Sequence, residues 1–134
     1  MKNIRVCIGT NDGQSIARTH MGDTDFFHVY DLTENSVNTF IDERINSAKS
    51  LDHAKADKMK AIIQLVKDAD AFIAQQKSPN FIRIASKTKY QPIVVKAEKI
   101  SDILITLSNS FEEIYDLVLK RKNGETFPTI PELK

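Results

Sequence analysis

The sequence contains no tryptophan, one cysteine, and only four glycines and four prolines. The lone Cys7 cannot close an internal disulfide, and no Cys pair stands at zinc-ribbon or dithiol spacing, so structural zinc and thioredoxin-like chemistry are excluded. Charge of one sign is lacking too: 19 Lys and Arg face 18 Asp and Glu, for a net charge of +1. No basic stripe of the kind that neutralises phosphates is present, which argues against nucleic acid as a partner. No run approaches the roughly 18 apolar residues of a membrane span. The opening Met1-Lys2-Asn3-Ile4-Arg5-Val6 passes directly into alternating sequence without a signal-type apolar region, so the expected setting is the cytoplasm, with no membrane partner. Also missing are G-x-S-x-G, H-E-x-x-H, a P-loop and a full dinucleotide fingerprint, and the expectation is a protein that is not an enzyme.

What is present is enough for one domain. With 134 residues and 41% hydrophobic content, the chain can bury a single core, and two would be cramped. Ile4, Val6 and Ile8 alternate with Arg5 and Cys7 and end at Gly9, the pattern of a strand. Phe26 to Leu32 and Ser36 to Ile41 flank a Thr33-Glu34-Asn35 turn and read as a hairpin. From about Asp52 the period changes: Met59, Ile62, Ile63 and Val66 predict an amphipathic helix to about Lys67. Ala69 to Ala74 suits a buried strand, and Ser78-Pro79 supplies a cap and a first-turn proline for a short helix over Phe81 to Thr88. Pro92 to Val95 is a further strand, and Ser101 begins more helix. Ser110 with Glu113 forms a capping-box pattern for a last helix that Asn123-Gly124 stops. Lys120, Arg121 and Lys122 read as cations at that helix's C-terminal end.

The order β-β-β-α-β-α-β-α requires right-handed parallel crossovers after an antiparallel hairpin, hence an α/β fold with a five-stranded mixed sheet of order 3-2-1-4-5 and helices on both faces. Residues 1–124 form the domain, and 125–134, with Pro128 and Pro131, run as an extended tail that frays or docks. In such a sheet the first and fourth strands lie side by side with diverging connections, and ligands favour the crevice at their carboxyl ends. The loop from Thr10 to Asp25 and the turn Gln75 to Ser78 both open there.

His20 is the first candidate, a loop imidazole next to Gly22 that strand packing does not constrain; the competing reading is an exposed or backbone-bonded histidine. Asp12-Gly13 reads as a tight turn, or else as a carboxylate ligand. Gly22 implies a positive φ or a close approach. Ser78 starts a helix whose free N–H groups suit an anion, with Lys77 adding charge, although plain capping is the simpler role. Cys7 and His28 read as packed strand residues and His53 as surface. A two-metal nuclease would need converging carboxylates, and only Asp12 and Asp31 fall near suitable places.

Asn11-Asp12-Gly13, followed by Thr19-His20-Met21-Gly22 and the aromatic strand ending in Asp31, resembles the dinitrogenase iron–molybdenum cofactor biosynthesis family. The resemblance spans roughly residues 3 to 120 and is concentrated in residues 11 to 31. It implies a ribonuclease-H-like three-layer fold and a role in carrying or inserting iron–sulfur or iron–molybdenum clusters. It matches His20 to the motif histidine, Gly22 to its glycine, Phe27 to the strand aromatic and Asp12-Gly13 to the earlier turn, with Met21 in place of a phenylalanine. The implied metal ligand is His20, with Asp12, Gly13 and Gly22 as further site positions, to which the helix-start reading adds Lys77 and Ser78. The implied partner is a metal cluster or a cluster-handling protein. Two regions depart from the family: 47–53 are not the Gly-, His- and Cys-rich stretch of many members and hold no cysteine, and 75–79 lack the glycine-rich turn. Clusters held by proteins usually take several thiolates, so the cargo would be preassembled and anionic, or shared between subunits. The alternative is an interaction or regulatory module that keeps the scaffold without the cluster.

Overall fold

The computed structural model describes residues 2–50 and 56–134. The chain forms β1 (Asn3–Thr10), a single 3₁₀ turn (Met21–Asp23), β2 (Phe26–Thr33), β3 (Asn38–Ile45), α1 (Ala56–Leu65) and β4 (Ala71–Ala74). It continues through α2 (Pro79–Lys87), β5 (Gln91–Val95), α3 (Ile100–Asn109), α4 (Phe111–Lys122) and β6 (Glu132–Leu133). The expected beginning of α1 near Asp52, and His53, lie outside the described residues.

The sheet order is β3-β2-β1-β4-β5-β6. β1 is antiparallel to β2 and parallel to β4, and β4, β5 and β6 are mutually parallel. The mixed sheet and the predicted 3-2-1-4-5 order are therefore present, and the C-terminal stretch adds a sixth strand against β5. The alternation read from β1 sorts its side chains between two cores. Ile4, Val6 and Ile8 join Ile73, Ile93, Leu107 and Ile114 under α3 and α4. Cys7 joins Phe27, Phe72, Phe81 and Ile84 under α1 and α2. Each such large side chain contributes about 1.5–3 kcal/mol on burial, so the sheet is a firm platform for the loops at its end.

Two local expectations are corrected. Ser110 makes no side-chain cap; it sits at φ −110°, ψ 21° as the single residue shared by the end of α3 and the start of α4. An N-cap needs extended backbone to turn its oxygen onto the first turn, and a residue that is also finishing a helix cannot supply it. Arg121 is not a surface cation at the helix end but is 2% exposed. Its Nε donates to Gln91 Oε1 at 2.7 Å, and its other nitrogens donate to the carbonyls of Ala85, Thr88 and Phe127. Neighbouring Lys122 does face outward and pairs with Asp70 at 3.4 Å.

Candidate functional site

The loop after β1 divides into two parts that serve opposite faces of the sheet. In the first, the Asp12 carboxylate accepts from the backbone N–H groups of Gln14 and Ser15, each at 2.9 Å. These bonds, Ser15 first, hold its pKa below the ordinary carboxylate value. The turn reading of Asp12-Gly13 is what the geometry bears out, with Gly13 at φ +76°. A Cβ on Gly13 would lie 3.0 Å from the His28 ring. His28 is registered with Ile8, whose side chain belongs to the α3–α4 core, so this turn covers the far face of the sheet. His28 Nε2 lies 2.6 Å from Glu43 Oε2, and its buried Nδ1 has no partner among the described residues.

The second part carries the 3₁₀ turn. His20 is its N-cap in extended backbone, and the turn closes through Asp23 N–H donating to the His20 carbonyl at 2.9 Å. Three contacts hold it. The buried Asn46 amide donates to the carbonyls of Gly22 and Thr24 at 2.9 and 2.8 Å. Lys58 of α1, 3% exposed, donates from Nζ to Asp23 Oδ1 at 2.6 Å and to the Lys49 carbonyl at 3.2 Å. Gly22 packs so closely on α1 that an added Cβ would stand 2.8 Å from Ile62 Cδ1. Of the two roles the sequence leaves to Gly22, the structure shows close approach.

Across from the turn, α2 begins with Ser78 Oγ accepting from Phe81 N–H at 3.2 Å and Pro79 following as the first helical residue. Between α1, α2 and the turn lies a cleft of about 480 Å³ at the carboxyl ends of β1 and β4. Met21, Met59, Ile62, Phe72, Phe81 and Ile84 give it an apolar lining, and Arg18, His20, Lys58 and Arg83 add cationic or ionisable groups. His20 is exposed, and its ring has no hydrogen-bond partner among the described residues.

The residues 2–110 match the sequence model of the dinitrogenase iron–molybdenum cofactor family. The chain belongs to that family. No curated protein matches the chain. Of the candidate residues named from the sequence, the fold brings His20, Gly22 and Ser78 to one cleft. Asp12 and Gly13 sit over His28 on the other face. Lys77 is not part of the cleft lining, and its ammonium lies 3.9 Å from Glu132 of β6.

Sequence reasoning missed Asn46, Lys58, Met59 and Arg83. The helical spacing of Met59 with Ile62 and Ile63 marked a buried face, yet nothing in it distinguished a face against core from a face lining a cleft. Asn46 carried one signal, a polar residue directly after a strand, where side-chain amides often bond backbone. Among the described residues no three His, Cys, Asp or Glu side chains converge as a metal site. Cys7 is buried with its thiol pushed up by desolvation, which withholds the thiolate that a metal needs.

Proposed function

We propose that the chain is a non-enzymatic cytoplasmic binding protein that receives a preassembled iron–sulfur or iron–molybdenum cluster as cargo in the cleft between α1 and α2. The observation that carries this reading is His20, an imidazole with no hydrogen-bond partner among the described residues, carried at the rim of a largely apolar cleft by a turn that three contacts hold. A ligand-binding nitrogen needs a free lone pair, and the Asn46 and Lys58 contacts fix the turn that carries His20 without occupying its ring. The apolar lining removes competing water from the cargo, and the basic residues at the rim complement its negative charge. The three-layer arrangement, with helices on both sides of a 3-2-1-4-5 sheet, is our reason for grouping the fold with the ribonuclease-H-like domains.

A second reading, an interaction module on the same scaffold that has lost its cluster and meets a cluster-handling protein instead, draws on the inaccessible Cys7 thiol. It also draws on α2, where Ser78 takes the Phe81 N–H and Pro79 has none to give. The two readings separate in one experiment. Protein purified without oxygen is incubated with iron, sulfide and molybdate and followed by metal analysis and absorption, wild type beside His20→Ala. The carrier reading expects a stoichiometric chromophore that the variant loses; absence of uptake by both proteins overturns it in favour of the module.

A further inference from the structure

We infer that Arg83 sets the charge preference of the cleft, favouring an anion with a poorly hydrated body over a neutral molecule of the same shape. The inference rests on the reading above only for the position of the site. Three basic side chains line the cleft, and two already have carboxylate partners. Lys58 is buried against Asp23 at 2.6 Å, so its charge is answered within the protein. Arg18 pairs with Glu98 at 2.9 Å, and this rim pair is largely exposed to screening water.

Arg83 differs from both. It sits on α2 one turn beyond the Ser78 cap, lines the cleft, and has no ion pair or side-chain hydrogen bond among the described residues. The helix end beside it cannot do the same work. With Pro79 lacking an N–H and Phe81 N–H taken by Ser78 Oγ at 3.2 Å, only the Asn80 N–H of the first three helical residues is left for a ligand. Among the remaining walls, Met21, Met59, Ile62 and Phe72 offer dispersion contact, Gln75 and Gln76 are polar but uncharged, and the carboxylate of Asp23 is paired with Lys58. An exposed guanidinium lining a largely apolar cleft favours a ligand with one anionic group and an apolar or polarisable body, since water is displaced from the body while the charge is paired.

The test uses two fluorescent probes of nearly the same shape, anilinonaphthalene sulfonate and the uncharged N-phenylnaphthylamine, titrated against wild type, Arg83→Gln, Arg18→Gln and Met59→Trp. Circular dichroism confirms that each variant is folded. We expect one sulfonate site in the wild type, weakened about tenfold in Arg83→Gln. Affinity for the neutral probe should be unchanged in that variant, Arg18→Gln should alter neither, and Met59→Trp, which fills the cleft, should abolish both. The inference is overturned if wild type does not prefer the sulfonate, if Arg83→Gln leaves it untouched, if Arg18→Gln weakens it equally, or if Met59→Trp still binds. Repeating cluster reconstitution with Arg83→Gln identifies the source of the anion. Loss of uptake along with sulfonate affinity points to the cluster, whereas loss of sulfonate affinity alone points to an organic anion. Failure of the wild type to take up a cluster would sink the carrier reading and leave the probe result standing.

Discussion

Gly22 owes its place to the distance between the 3₁₀ turn and α1 rather than to an unusual backbone angle, and that distinction can be measured. Gly22→Ala places a methyl against Ile62 Cδ1, the end of a side chain that can rotate, so the expected loss is about 1 kcal/mol. The double variant Gly22→Ala/Ile62→Val removes the offending carbon and should regain part of the melting temperature; additive losses would show that the contact is not the cause. Asp68 offers a second residue-scale test. It accepts two bonds from Arg44, at 2.6 and 2.9 Å, and one from Arg5 at 3.0 Å. Arg44 first among these causes holds its carboxyl well below the ordinary range. A depressed folded-state pKa gives stability that is complete above the unfolded value near 4 and fades as pH falls through the folded one. With the side chain 38% exposed, screening reduces the benefit to roughly 1 kcal/mol. Asp68→Asn should therefore lower the urea midpoint at pH 7 and converge with wild type in strong acid; a gap that persists at low pH would refute the linkage.

Among the elements, α2 was the most fully legible in the sequence. Ser78, Pro79 and the apolar spacing of Phe81, Ile84 and Ala85 act as their chemistry predicts. Ser78→Ala should cost about 1 kcal/mol, read by thermal melting, and should raise amide exchange in the first turn of the helix; unchanged exchange would show the cap to be idle. The alternation of β1 was legible for the same reason, because a period of two admits only one assignment of faces. Ser110 misled because a capping box is a statement about side chains, while the backbone there was already committed to ending α3. Arg121 was hidden by its neighbours: Lys120-Arg121-Lys122 looks uniform in sequence, and only the rotation of α4 turns the middle residue inward. The candidate site was half legible. His20 and Gly22 are marked by a local motif, whereas Lys58, Met59 and Arg83 reach the cleft from two helices whose relative placement is set by the tertiary fold.

At the scale of the molecule, Arg121 binds together parts that the sheet alone leaves separate. From α4 it reaches β5 through Gln91, the end of α2 through the Ala85 and Thr88 carbonyls, and the C-terminal stretch through Phe127. Its guanidinium stacks on the Phe127 ring at 4.1 Å, and Gln91 in turn donates to the Thr129 carbonyl at 2.9 Å. Burial lowers its pKa, and carbonyl oxygens rather than a carboxylate surround the charge. Arg121→Met leaves those acceptors unanswered and should lower stability by about 2–4 kcal/mol. It should also release β6, seen as loss of amide protection at Lys96, which donates to the Leu133 carbonyl. A destabilised variant that keeps that protection would mean the tail docks on its own. Among the described residues no helix is long and apolar enough to cross a membrane.

The hairpin has a further property. Val29 faces Asp42 while its neighbour Tyr30 faces Phe40, so Ile41 is a residue that β3 carries without a partner on β2. The strand is one residue longer than its ladder requires. Losing Ile41 should straighten the ladder while Glu43 stays opposite His28 and Phe40 opposite Tyr30, whereas inserting a residue between Asp42 and Glu43 would send the following side chains to the wrong face. The single-codon deletion should yield a folded protein in which the His28–Glu43 contact survives in NMR spectra, and the insertion should not. In this one strand the gene has slack in one direction only.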